Sequence, residues 1–77
     1  MDYSEGIKLC NFAKQAQNKS LWTQSLDLYL KGINLLIDLH KKDKDEVSKS
    51  RAREIIMEQL SNAETVKLMT RMPVLKS

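Results

Sequence analysis

Residues 21–40 read LWTQSLDLYLKGINLLIDLH, a stretch with the apolar periodicity of an amphipathic helix. Large apolar side chains recur at steps of three and four residues, which predicts a helix roughly 30 Å long over these residues. Gly32 disfavours the helix by about 1 kcal/mol relative to alanine. Its place beside the apolar stripe indicates that a neighbouring helix packs closely there. The stripe consists of Trp22, Leu26, Tyr29, Ile33 and Leu36.

A first helix is expected from about Tyr3 to Asn18. Asp2 and Glu5 have the spacing of a capping box, which favours a helix start at this point. A short polar break follows, and Ser20 in it is the expected N-cap of the second helix. The apolar residues of the first helix are Ile7, Leu9, Cys10, Phe12, Ala13 and Ala16.

A third helix is expected to begin near Lys44, because Asp43 and Glu46 repeat the capping-box spacing. Pro73 should end it, since the residue before a proline disfavours the helical conformation. Residues 73–77 are expected to form a loose tail or the start of a linker. The apolar pattern of this helix consists of Val47, Ala52, Ile55, Ile56, Leu60, Ala63 and Val66.

These patterns predict an all-α fold, a three-helix up-down-up bundle with spectrin-repeat-like or tetratricopeptide-like packing. It would form one monomeric domain over residues 1–72 of a 77-residue chain, with loops near residues 19–21 and 41–45. Two glycines and one proline supply little of the turn chemistry that a many-stranded β fold needs.

The composition argues against catalysis and metal binding by this chain alone. One histidine and one cysteine are too few for an ordinary zinc site, and neither a phosphate-binding glycine loop nor a nucleophile elbow is present. We therefore expect no catalytic residue, no metal and no cofactor. His40 is interpreted as a residue facing the dipole at the end of the second helix, and Cys10 as a small buried hydrophobe.

The charges favour a solvated surface over a nucleic-acid interface. Thirteen basic residues stand against ten acidic ones, and the two signs are interleaved, also in the charged run of residues 40–53. No apolar run approaches the roughly 18–20 residues of a membrane span, and no secretory signal opens the chain. A free thiol without such a signal suggests a reducing, cytosolic setting.

More apolar side chains are present than the three main stripes account for. A bundle with surplus apolar groups along its grooves is expected to accept a partner helix or strand. The surplus residues are Leu9, Phe12, Leu28, Leu30, Leu35, Ile37, Leu39, Ile55, Met57 and Met69.

Three segments, in this order, resemble the MIT (microtubule-interacting and trafficking) domain family. Residues 6–10, GIKLC, with Ala13, resemble the family's AI-x-L-V…A opening. Residues 22–33, WTQSLDLYLKGI, resemble its Y-x-x-A-L-x-x-Y-x-x-A-I second helix, and residues 60–64, LSNAE, resemble its L-x-R-A-E signature. The resemblance covers residues 6–69, although Ser61 and Asn62 depart from the acidic residue and arginine usual at those positions, so part of the family's charge on the third helix is missing.

The resemblance implies a protein-interaction module that binds short C-terminal motifs of ESCRT-III proteins. Such domains are commonly appended to vacuolar-sorting AAA ATPases, and also to deubiquitinases, kinases and sorting nexins. They act in the cytoplasm and reach endosomal membranes peripherally, through their partners. One motif class is an amphipathic helix bound between the second and third helices, and another is a proline-bearing strand bound between the first and third. Neither nucleic-acid binding nor direct membrane insertion is implied.

Carried over residue by residue, the resemblance makes Leu60 the central apolar contact of the groove between the second and third helices. Glu64 would pair with a basic residue of the bound motif. The flanking contacts would be Ile56, Met57 and Ala63, with Ile37 opposite. By position alone, Leu9, Phe12 and Ala16 are the candidates for the groove between the first and third helices.

Other interpretations stay open on the residues alone. A tetratricopeptide-like adaptor hairpin that binds another peptide predicts further repeats at a spacing of about 34 residues in a parent chain. A weakly basic nucleic-acid-binding domain needs a basic recognition helix, and the acids of the third helix argue against one. Mixed charges disfavour a membrane-surface protein. A purely structural role in the core for Leu60 or Ile56 is the remaining alternative.

Overall fold

The computed structural model describes residues 2–71 of the chain, and these residues form three helices. Helix α1 spans Ser4–Asn18, α2 spans Trp22–Lys42 and α3 spans Glu46–Arg71. The chain is an all-α, three-helix up-down-up bundle with α2 packed against both α1 and α3, which confirms the predicted fold class. The predicted end at Pro73 and the tail lie outside the described residues. None of the described helices is both long and apolar enough to cross a membrane.

One core of buried side chains holds the three helices together. Tyr29 and Leu36 of α2 are fully buried at its centre, and Cys10 is buried beside them as the sequence predicts. Trp22 is only half-buried and packs against the edge of this core. The buried members are Cys10, Ala13, Tyr29, Ile33, Leu36, Ile56, Ala63 and Val66.

Small residues allow α1 and α2 to approach each other closely. A Cβ atom placed on Gly32 would lie 2.8 Å from the Cys10 sulfur and 2.9 Å from the carbonyl oxygen of Gly6. On the same face of α2, the Ser25 hydroxyl is buried and donates a hydrogen bond of 2.7 Å to the carbonyl of Ala13. The close approach predicted at Gly32 is therefore confirmed, and α1 is the neighbouring helix.

The structure corrects the expected N-cap at Ser20. Ser20 has a φ of 61°, in the left-handed region, and Leu21 occupies the N-cap position of α2. The amides of Ser20 and Leu21 donate to the carbonyls of Gln17 and Ala16, both at 2.9 Å. This is the hydrogen-bond pattern of a Schellman motif, so Ser20 closes α1 instead of opening α2.

Asp43 also differs from its expected role, because α3 begins at Glu46 and not near Lys44. Asp43 is a buried residue, and its carboxylate accepts hydrogen bonds from the Tyr3 hydroxyl at 2.7 Å and the Asp45 amide at 3.0 Å. Hydrogen bonding from Ser48, from the Asp45 amide and from Tyr3 lowers the pKa of Asp43 from 3.8 to about 2. Asp43 thus ties the N-terminus of α1 to the turn between α2 and α3.

Candidate functional site

An ion pair identifies the two flanks of α3. Glu58 lies 3.8 Å from the Lys14 ammonium of α1, so the flank that carries Glu58 faces α1. Each residue of an α-helix advances about 100° around its axis, which puts Leu60 on the opposite flank, toward α2. The residue between them, Gln59, is buried. Leu60 is 43% exposed, and it therefore lies at the edge of the core, open to the groove between α2 and α3.

The corresponding flank of α2 is identified in the same way. Leu28 lines a groove together with Phe12 of α1, so that flank of α2 faces α1. Leu30, two residues further on, therefore lies on the flank toward α3, where it is 48% exposed. Ile37 lies two turns later on this flank and packs, half-buried, against the core. Leu30 and Ile37 of α2 and Leu60 of α3 define what we call the α2/α3 groove.

The other residues predicted for the α2/α3 groove divide into two groups. Ile56 and Ala63 belong to the core, with 8% and 6% of their surface exposed, so they support the floor of the groove and do not project from it. Met57 and Glu64 are exposed on α3 beside Leu60. The alternative of a core role thus holds for Ile56 and not for Leu60, while burial of Ile56 and Ala63 corrects their expected place as flanking contacts of a bound motif.

The assignment of Leu9, Phe12 and Ala16 to the groove between the first and third helices is wrong. Phe12 and Ala16 instead line the groove between α1 and α2, which has a volume of about 270 Å³ and is also lined by Leu28 of α2. The Leu9 side chain also packs toward α2, with its Cβ atom 3.1 Å from the position of a Cβ atom on Gly32. Sequence periodicity correctly separated these residues from the main stripe of α1, but it does not determine which neighbouring helix they face.

The groove between α1 and α3 is instead built around Tyr3 and Ile7. It encloses about 350 Å³, and Val47 of α3, which is largely exposed, stands at its edge. Ile7 belonged to the stripe expected to be core, so the sequence offered no separate signal for it. The residues that line this groove are Tyr3, Ile7, Asp45, Val47, Ser48, Arg51, Ala52 and Ile55.

The chemistry of the described residues is that of apolar grooves with charged edges. Burial raises the pKa of the Cys10 thiol, which leaves it in its unreactive protonated form. Residues 2–71 contain no cluster of three potential metal ligands. Comparisons with known proteins found no matching family model, no matching curated protein and no matching solved structure.

Proposed function

We propose that this chain is a protein-interaction module that binds short C-terminal helical motifs of ESCRT-III proteins in the α2/α3 groove. The observation that carries the proposal is the exposure of two large apolar side chains on adjacent helices, Leu30 of α2 and Leu60 of α3. An unpartnered seam of this kind between two helices accepts the apolar face of a third. The sequence resemblance over residues 6–69 supplies the identity of the motif.

In this proposal, the leucines of the bound helix contact Leu30, Ile37 and Leu60, and Glu64 pairs with a basic residue of the motif. A single short helix buries a small interface, so we expect a dissociation constant that is micromolar or weaker. This corresponds to a binding free energy of about −8 kcal/mol or less in magnitude. Weak contacts of this kind suit recruitment to a polymer, because each subunit displays one motif and avidity supplies the remaining affinity.

The domain would thereby recruit a larger parent protein, for which an AAA ATPase is our proposal, to sites of endosomal sorting and membrane scission. It would act in the cytoplasm and contact endosomal membranes only through its partners. The domain itself would contribute binding and no catalysis.

The test is the substitution Leu60→Asp, with Val47→Asp as the matched control. Both changes introduce a carboxylate at an exposed apolar position of α3, but Val47 lines the groove between α1 and α3. Leu60→Asp should abolish binding of a labelled amphipathic tail helix, because the carboxylate would lose its hydration against the partner's leucine. Val47→Asp should leave the affinity unchanged. Circular dichroism on both variants checks that the helices are intact.

Two outcomes would reject the proposed site. If folded Leu60→Asp binds the peptide as tightly as the unaltered chain, the α2/α3 groove is not used. If Val47→Asp alone weakens binding, the peptide occupies the groove between α1 and α3 instead.

A further inference from the structure

The α3 edge of the α2/α3 groove is strongly basic. The residues that share the flank of Leu60 lie seven and eleven positions before and after it, and they are Lys49, Arg53, Lys67 and Arg71. Two acidic residues share this flank: Glu64 lies one turn after Leu60, and Glu46 lies fourteen positions before it at the first turn of α3. Arg53, Glu64 and Arg71 are exposed, while Lys49 and Lys67 are half-buried at the edge.

The opposite flank of α3 does not share this charge. Glu54 lies there one turn before Glu58, which pairs with Lys14 of α1. Arg51 lines the groove between α1 and α3 on the same flank. Four of the five basic residues of α3 therefore lie on the flank toward α2, while its four acidic residues are divided equally between the two flanks.

The α2 edge of the groove adds a cation and no available acid. Lys41 lies one turn after Ile37 on the same flank. The two acidic residues of α2, Asp27 and Asp38, each pair with a lysine four residues later, at 3.0 and 3.4 Å. A ligand in the groove thus meets four basic residues along the α3 edge and one, Lys41, near the C-terminal end of the α2 edge.

From this arrangement we infer that the helix bound in the α2/α3 groove is acidic, with Asp and Glu along the edge of its apolar stripe that faces α3, a carboxylate near Lys41 and a basic residue opposite Glu64. The inference rests on the proposed function and specifies the chemistry of its partner. Charge complementarity favours carboxylates opposite Lys41, Arg53 and Lys67. The exposed Leu30 and Leu60 beside this basic row require an apolar partner surface, which a protein helix provides and a nucleic-acid backbone does not.

The experiment compares two labelled amphipathic peptides on the unaltered chain by fluorescence anisotropy. Both peptides carry the same leucines, and the edge positions are glutamate in one and lysine in the other. The acidic peptide should bind about tenfold more tightly, since several rim ion pairs each contribute a few-fold. This advantage should shrink at high salt, because exposed charges are screened.

Charge reversal on the protein provides the reciprocal test. The double substitution Arg53→Glu and Lys67→Glu should remove or invert the preference for the acidic peptide. Arg51→Glu is the control, because it reverses a charge on the same helix but on the flank toward α1. The comparison of the two peptides on the unaltered chain does not depend on how these variants fold.

Equal or tighter binding of the lysine peptide would overturn the inference, and the proposed function would stand if Leu60→Asp still abolished that binding. Failure of both peptides to bind would overturn the proposed function and the inference together. Duplex DNA or anionic vesicles bound through Arg53 and Lys67, without peptide binding, would also overturn both.

Discussion

Substituting Gly32 with alanine tests the packing between α1 and α2. Helix propensity alone predicts that this change stabilises the protein by about 1 kcal/mol. The structure predicts the opposite, because the new methyl group would lie 2.9 Å from the Gly6 carbonyl oxygen and 2.8 Å from the Cys10 sulfur. The carbonyl belongs to the backbone of α1, so it yields only if the whole helix shifts.

The two effects can be weighed against each other. Overpacking of a core by one methyl group costs about 1–3 kcal/mol, which exceeds the propensity gain over most of that range. We therefore expect Gly32→Ala to lower the free energy of unfolding by about 1 kcal/mol. In a domain of this size, that loss corresponds to a fall in melting temperature of about 4–8 °C.

Thermal unfolding followed by circular dichroism measures this change directly. As a control, Gly32→Ala is repeated in a Cys10→Ala background, where the sulfur no longer contributes to the clash, and is compared with Cys10→Ala alone. Gly32→Ala should still destabilise in this background, because the contact with the Gly6 carbonyl remains. A melting temperature that rises on Gly32→Ala would refute the close approach of the two helices.

Three further substitutions test individual contacts by urea or acid unfolding. Ser25→Ala should cost about 1 kcal/mol, because it removes the hydrogen bond to the Ala13 carbonyl, and an unchanged stability would contradict that role. Because the pKa of Asp43 is lowered in the folded state, its carboxylate stabilises the fold above pH 3.8, and this stabilisation is lost as the pH falls toward about 2. In the Asp43→Asn variant, the free energy of unfolding should therefore depend less on pH in this range. Trp22→Ala should lower the free energy of unfolding by less than the roughly 3–5 kcal/mol expected for a fully buried tryptophan, because Trp22 is half-buried. A larger loss would contradict its place at the edge of the core.

The three helices could be predicted from the sequence because each has an apolar stripe that must be buried. Tyr29 and Leu36 lie in the regular stripe of residues 21–40, and both are fully buried at the centre of the bundle. Gly32 similarly indicated close packing, because a glycine inside a helix lowers its stability unless a close contact with another helix compensates. These signals are local, and local periodicity is sufficient to detect them.

The details that failed depend on tertiary geometry. Ser20 is a good N-cap by residue type, but the reversal between α1 and α2 required a left-handed residue at that position. Phe12 was correctly separated from the main stripe of α1 but assigned to the wrong groove, because periodicity gives a direction around one helix and not the identity of its neighbour. The basic row around Leu60 was hidden for the same reason, since its members are spread over more than 20 residues.

We propose that an amphipathic helix binds in the α2/α3 groove. This proposal is tested by a nuclear magnetic resonance titration of the isotope-labelled chain with an amphipathic ESCRT-III tail peptide, read at the backbone amides. The claim predicts shifts concentrated at Leu30, Ile37 and Leu60. Shifts concentrated instead at Phe12 and Leu28, in the groove between α1 and α2, or the absence of any shift at millimolar peptide, would contradict it.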